Sequence, residues 1–278
     1  MTTYNERGAS EKGDANQDGC HANEGAVDAA LRICFEASGV VGVIKPSGLP
    51  TQAPPGIDSL ELRLRSQLSR GGYLGVPHRL DRAVSGVMLF AVTPRAARQL
   101  SRQFERRQIT KTYLALTEVV GHRDPAGDQV AATTAWSEWI DWVAKIPDQP
   151  RARIAVAGEP GSRQAETAVR RIGDLTGPSG LSITMLQLEP RTGRMHQLRV
   201  QAAARGMPIV GDTSYGAADL HSDTIALHAW RIAFTDPDTK ERLEIEAPLP
   251  EAWPPACREF LATAGLSPVT RPGSSPSG

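Results

Sequence analysis

Cysteine is scarce in this chain: Cys20, Cys34 and Cys257 are the only three in 278 residues, an odd number at no metal-binding spacing. That excludes a disulfide framework and a cysteine-held zinc site, and it fits a reducing compartment. Long apolar runs are missing too, and none approaches the roughly 20 residues that span a bilayer. The first 24 or so residues are rich in Gly, Asn, Asp and Glu and have neither the basic start nor the apolar stretch of a signal peptide. A soluble cytoplasmic protein with no membrane partner is expected. Net charge is absent, with 31 Lys plus Arg against 31 Asp plus Glu. There is no P-loop, no dinucleotide fingerprint and no internal repeat. His78, His196 and His228 are too scattered to specify a metal site, so no metal is expected.

What is present is enough apolar residue, 40% of the chain, to pack a core. The most informative stretch is His78-Arg79-Leu80-Asp81, followed by Ser85-Gly86 and the apolar run Val87 to Val92. It sets one carboxylate and two arginines, Arg79 and Arg82, on a turn feeding a buried strand, which presents a reactive group from a rigid base. Charge balance also hides a local bias. Between Glu61 and Lys111 there are eleven basic residues, including Arg95, Arg98, Arg102, Arg106 and Arg107, against three acidic ones. Such a run is often only a solvated face, but beside Asp81 it favours an RNA partner.

The pattern predicts an α+β fold around a mixed, mainly antiparallel sheet flanked by helices. Strands are expected at Val40–Lys45, Val87–Val92, Lys111–Glu118, Ala168–Ile172, Leu181–Leu188, Ile225–Phe234 and Leu243–Ala247. Helices are expected at Ser59–Leu68, at Pro94–Arg107 with Thr93 as cap, and at Arg194–Arg205 with Gly206 as stop. On the second helix Ala97, Leu100 and Phe104 should face the core. On the third, His196 and Arg199 should share a face. On the Lys111 strand, Lys111 and Tyr113 should project together. Residues 121–164 carry four prolines and stay unassigned, although Trp136 to Val143 suggests an ordered insertion. The domain is bounded at 36–263, with mobile tails at 1–30 and 267–278.

Several segments then combine: Lys45-Pro46-Ser47-Gly48-Leu49-Pro50, His78 to Asp81, Lys111-Thr112-Tyr113-Leu114-Ala115, Thr192 to Val200, Gly206 to Gly216, and Leu227-His228-Ala229. In order and spacing the chain resembles the RluA-type pseudouridine synthases, of the RluA/RsuA family, from about Val40 to Trp253. The resemblance implies the pseudouridine synthase catalytic fold and isomerisation of uridine in tRNA or rRNA, with no cofactor because reactant and product are isomers. It implies Asp81 as the group that starts glycosidic cleavage, as nucleophile or as base at C2′. Carboxylates do act as nucleophiles at glycosidic centres. Arg199 matches the basic residue paired with that Asp, Tyr113 the active-site tyrosine, and Arg79 the position tied to exposing the nucleotide. His78, Lys111, Arg194, His196 and Gln197 are expected to contact RNA.

Four positions depart from the family pattern: Ile44, Val84, Met195 and Gln201. Val84 and Met195 each lack a usual hydroxyl, which bears on positioning and not on the reaction class. The segment before Val40 is too short and polar for the small RNA-binding module that some relatives carry, and a monomer is expected. Asp212 to Gly216 nearly matches the GxSxG elbow of serine hydrolases, but Asp212 stands where its first Gly belongs, and that reading is rejected. A non-catalytic RNA-binding protein retaining the fold is the alternative, and a hydrolase of small nucleosides a more distant one.

Overall fold

The computed structural model describes residues 30–68, 72–118, 134–177, 180–219 and 224–266. The tails expected at 1–30 and 267–278 lie, but for Ala30, outside the described residues. From Leu31 onward the chain forms one compact unit. Among the described residues no helix is long and apolar enough to cross a membrane.

The strands are β1 (Arg32–Ala37), β2 (Val40–Lys45), β3 (Ser85–Ala91), β4 (Thr110–Glu118), β5 (Ser137–Lys145), β6 (Ala152–Ala155), β7 (Arg163–Thr176), β8 (Ser182–Pro190), β9 (Leu227–Thr235) and β10 (Arg242–Glu246). The helices are α1 (Leu60–Gln67), α2 (Pro94–Glu105), α3 (Gln197–Ala204) and α4 (Ala256–Thr263). The sheet runs β1-β2-β3-β9-β4-β8-β7-β5-β6, and β10 also pairs with β9. Every described pair is antiparallel except β3 with β9. This is the mixed, mainly antiparallel α+β fold expected.

The differences have local causes. β1 was not anticipated because it is half-buried and exposed rather than alternating, and it is ordered through a pairing with β2. The unassigned 121–164 region supplies β5, β6 and the start of β7, an antiparallel extension held by fully buried Trp139. Residues 119–133 lie outside the described set. In α2, Ala96, Ala97, Leu100 and Gln103 are buried, whereas Phe104 is only partly so. Thr93 caps this helix through Ala96 N–H at 3.1 Å, as expected of Thr before Pro.

Two features of the sheet centre open the site. Gly86, at φ +120°, lies so close to β9 that a Cβ there would stand 2.2 Å from the Ala229 carbonyl oxygen. Only glycine lets β3 and β9 meet at this point. The parallel pairing covers only Ser85 with His228 and Gly86 with Ala229; from Arg231 onward β9 pairs with β10 instead. At the same place β9 bulges against β4, with Thr112 opposite Arg231 and Tyr113 opposite Ala229, leaving Trp230 as the extra residue. A bulge bends a strand and re-aims its neighbours, here beside Tyr113.

Candidate active site

The turn that carries Asp81 is seated in a second turn, Lys45 to Thr51. Lys45 is fully buried, and its ammonium donates to the carbonyls of Leu49 (2.6 Å), Pro46 (2.9 Å) and Arg82 (3.0 Å). Gly48 N–H donates to Arg82 O, and Arg82 Nε donates back to Gly48 O, both at 2.9 Å. Thr51 Oγ1 donates to Leu80 O at 3.0 Å and accepts from Leu80 N–H at 3.1 Å, and the Ser47 hydroxyl donates to Ala83 O. Val84 N–H closes the turn on Asp81 O at 3.1 Å. Apart from the Arg82 guanidinium, the groups held on the Asp81 turn are backbone ones, so the cradle fixes the path of the chain under Asp81. Burial lowers Lys45 to about 7, and the negative charge of Asp81 pulls the other way.

Asp81 opens into a cavity of about 850 Å³, which is also lined by Arg79, Lys111, Tyr113, Arg194, His196 and Arg199. The structure thus brings these predicted residues together, and Arg107, Phe104 and Leu227 join the lining. The Asp81 side chain is 30% exposed. Arg199 Nη1 and His196 Nε2 both lie 3.7 Å from it, and for both the nearest atom is Oδ2. Those distances exceed a hydrogen bond.

The expected Arg199–Asp81 ion pair is present but long, and Arg199 shares its guanidinium with a second carboxylate. Arg199 gives its short bonds to Asp212, Nε to Oδ2 and Nη2 to Oδ1, each at 2.7 Å. Asp212 is 1% exposed and Arg199 7%, so this bidentate pair is desolvated. Asp212 takes one edge of the guanidinium and leaves Nη1 for Asp81. Tyr215 lies beneath it, with the Arg199 guanidinium carbon 5.0 Å from its ring centre. Asp212 and Tyr215 were missed in the sequence because their segment resembles a turn and a failed hydrolase elbow. The one available signal was an acid between glycine and a Tyr-Gly pair inside a segment matching the family.

Helix α3 starts later than expected, at Gln197, and His196 stands before it in the left-handed region at φ 50°, ψ 26°. His196 and Arg199 therefore meet at the helix entrance and do not share a helical face. Gln197 and His78 also line the cavity. Gln197 is buried, its amide oxygen accepts from Thr192 Oγ1 (2.7 Å) and Arg194 N–H (3.0 Å), and its nitrogen donates to Glu166 O (3.0 Å) and Thr167 Oγ1 (2.9 Å). Its side-chain amide braces the loop that carries Arg194. His78 accepts from Leu89 N–H at 2.9 Å and stacks on Phe104 at 4.5 Å, so its acceptor nitrogen is committed to β3. Burial, with Lys111 nearby, pushes His78 down to about 3, which keeps it neutral.

Arg79 is exposed at the rim, and Arg194 Nε donates to Gln164 O at 2.9 Å. Burial lowers Lys111 to about 8. Burial first, and the charge of Asp81 second, raise Tyr113 well above the usual phenol range, so its proton is retained at neutral pH. Of the four departures, Val84 and Met195 line the cavity, Met195 at 37% exposure. Gln201 fills a buried slot behind α3, accepting from Thr167 Oγ1 and donating to Asp141 Oδ2, both at 2.7 Å.

The site thus joins a carboxylate in a polar cavity to a clamped guanidinium, a protonated tyrosine and a rim of arginines, set on a mixed sheet. The family model of RNA pseudouridylate synthases matches residues 39–204, and the chain belongs to that family, whose reaction converts uridine in RNA to pseudouridine. The dual-specificity RNA pseudouridine synthase RluA of Vibrio vulnificus is 34% identical over 76% of this chain and 80% of its own. That of Pasteurella multocida is 35% identical over 75% and 88%. The tRNA pseudouridine synthase C of Haemophilus ducreyi is 30% identical over 83% and 96%. Among solved structures, human RNA pseudouridylate synthase domain containing 1 is similar with a TM-score of 0.63 and 25% identity, over 83% of this chain and 87% of that one.

Proposed function

We propose that Asp81 starts the isomerisation of a uridine held in this cavity, within a tRNA or ribosomal RNA. The observation that carries the reading is the convergence of Arg199 and His196 on one oxygen, Oδ2, of a carboxylate that lines the cavity. Two basic groups facing one oxygen bias the orientation of the carboxylate and leave Oδ1 to act on the nucleotide. Tyr113, protonated and on the cavity wall, stacks on the uracil. Arg79, exposed on the rim two residues before Asp81, fills the space from which the base is extracted. Lys111 and Arg194 meet the flanking phosphates. A relative named as a tRNA pseudouridine synthase supports tRNA as one substrate class. The reaction proceeds without a cofactor because no atoms are gained or lost.

The test is tritium release from RNA labelled at uracil C5. Native protein is expected to release tritium from unmodified tRNA or rRNA transcripts, and Asp81→Asn to lose on the order of 10³-fold or more. Undiminished release by Asp81→Asn removes Asp81 from the chemistry. RNA binding without release by the native protein supports the non-catalytic alternative.

A further inference from the structure

Two residues of the cavity lining, Arg107 and His196, are held in a left-handed backbone conformation, and His196, at φ 50°, is the one beside Asp81. Histidine tolerates that region better than most residues, yet it still costs about 1 kcal/mol or more. Gln197 secures it on both sides, its N–H on Arg194 O at 3.1 Å and its amide oxygen on Arg194 N–H at 3.0 Å. The result is that Nδ1 meets the Tyr215 hydroxyl at 2.9 Å while Nε2 faces Asp81 Oδ2 at 3.7 Å.

The hydrogens around this ring can be assigned in sequence. Ala152 N–H donates to Tyr215 Oη at 2.8 Å, which takes up one of the lone pairs of that oxygen. Burial raises Tyr215 above its ordinary value, so the hydroxyl keeps its proton, and the nearest acceptor is Nδ1. The charged groups facing the ring are Asp81, Arg199, Asp212 and Arg79; burial outweighs the two acids and keeps the imidazole neutral. A neutral ring has one N–H. Arg199 Nη1 lies 3.3 Å from both ring nitrogens and so favours neither position. Placed on Nδ1, the N–H would turn the Nε2 lone pair toward the Asp81 carboxylate. Placed on Nε2, it meets that carboxylate as a donor and leaves Nδ1 to accept from Tyr215.

We infer that Tyr215 locks His196 in the Nε2–H tautomer, and that His196 is a positioning residue whose N–H holds Oδ2 of Asp81 so that Oδ1 faces the nucleotide. The inference rests on the reading of Asp81 as the reactive group. The 3.7 Å gap closes when RNA fills the cavity, as catalytic hydrogen bonds commonly do. Arg199 contributes charge to the same oxygen, and His196 contributes direction without a second charge.

Two measurements test it. Long-range proton–nitrogen NMR of the ligand-free protein at pH 7 should show His196 with a protonated Nε2 and a bare, hydrogen-bonded Nδ1. In Tyr215→Phe the two tautomers should mix. A native ring that is doubly protonated, or protonated on Nδ1, overturns the inference, and that result depends neither on RNA turnover nor on the folding of any variant. In kinetics, Tyr215→Phe should lower kcat about tenfold with KM for RNA unchanged within about twofold. His196→Gln presents an amide N–H near the Nε2 position whatever Tyr215 does. In that background Tyr215→Phe should therefore change kcat less than about twofold, whereas additive losses would reduce Tyr215 to a packing role. If Asp81→Asn keeps full tritium release, the reading of Asp81 is what fails, and the ring spectrum still decides the tautomer.

Discussion

Arg199 and Asp212 form the most buried ion pair of the site, and their worth lies in what each prevents in the other. Removing one partner strands a charge where no water can reach it, at a cost of about 3–5 kcal/mol. Asp212→Ala is therefore expected to lose about 3 kcal/mol in urea denaturation, and Asp212→Asn, which keeps the shape and one acceptor, less. At this scale the sequence was legible where chemistry and chain path coincide: Asp81, Tyr113 and Arg199 are each brought to the cavity, because the turn, strand and helix that carry them are short-range features. It was illegible where a side chain reaches across the fold. The Arg199–Asp212 pair spans 13 residues and a turn that no periodicity announces. The bracing role of Gln197 was likewise out of view, because its four internal hydrogen bonds join segments that the sequence keeps apart.

Among the elements, α2 shows how charge and packing divide one helix. Its inner face is apolar, while Arg98, Arg102 and Arg106 are exposed at four-residue spacing, about 6 Å apart along the axis. Among the described residues none of the three takes part in an ion pair, whereas Arg95 meets Asp238 at 3.2 Å. The row ends at Arg107, which lines the cavity. Replacing Arg98, Arg102 and Arg106 together with Gln should reduce the slope of log affinity against log salt by about 2 to 3, with stability nearly unchanged, in RNA-binding titrations at several salt concentrations. This helix was readable from its Thr-Pro start and its three-then-four spacing. β5 and β6 were not, because their partner β7 lies beyond a proline-rich stretch and their core anchor, Trp139, becomes informative only once the sheet around it exists.

Across the whole molecule, His228 is buried and His78 half-buried against the two strands that frame the site, and loss of hydration pushes them down to about 4 and about 3. Both folded values lie below the unfolded value of about 6.5. The unfolded chain therefore binds these protons first, so their contribution to stability is complete above pH 6.5 and is lost as pH falls toward 4. Denaturation series at fixed pH should show stability falling over that window, with these two groups adding up to about 2.7 kcal/mol per pH unit. Replacing His228 should flatten the slope by about half of that. The fold class was legible because strand and helix periods alternate plainly; the sheet order was not, because β3 joins β9 across most of the chain. Ser85 and His228, bonded at 2.8 Å, are 143 residues apart. Closing so long a loop costs entropy before any contact is gained, which makes assembly slow. A growing chain thus carries the Asp81 carboxylate long before it has the strand that walls the cavity, and the cavity closes only once β9 has been made and joined to β3.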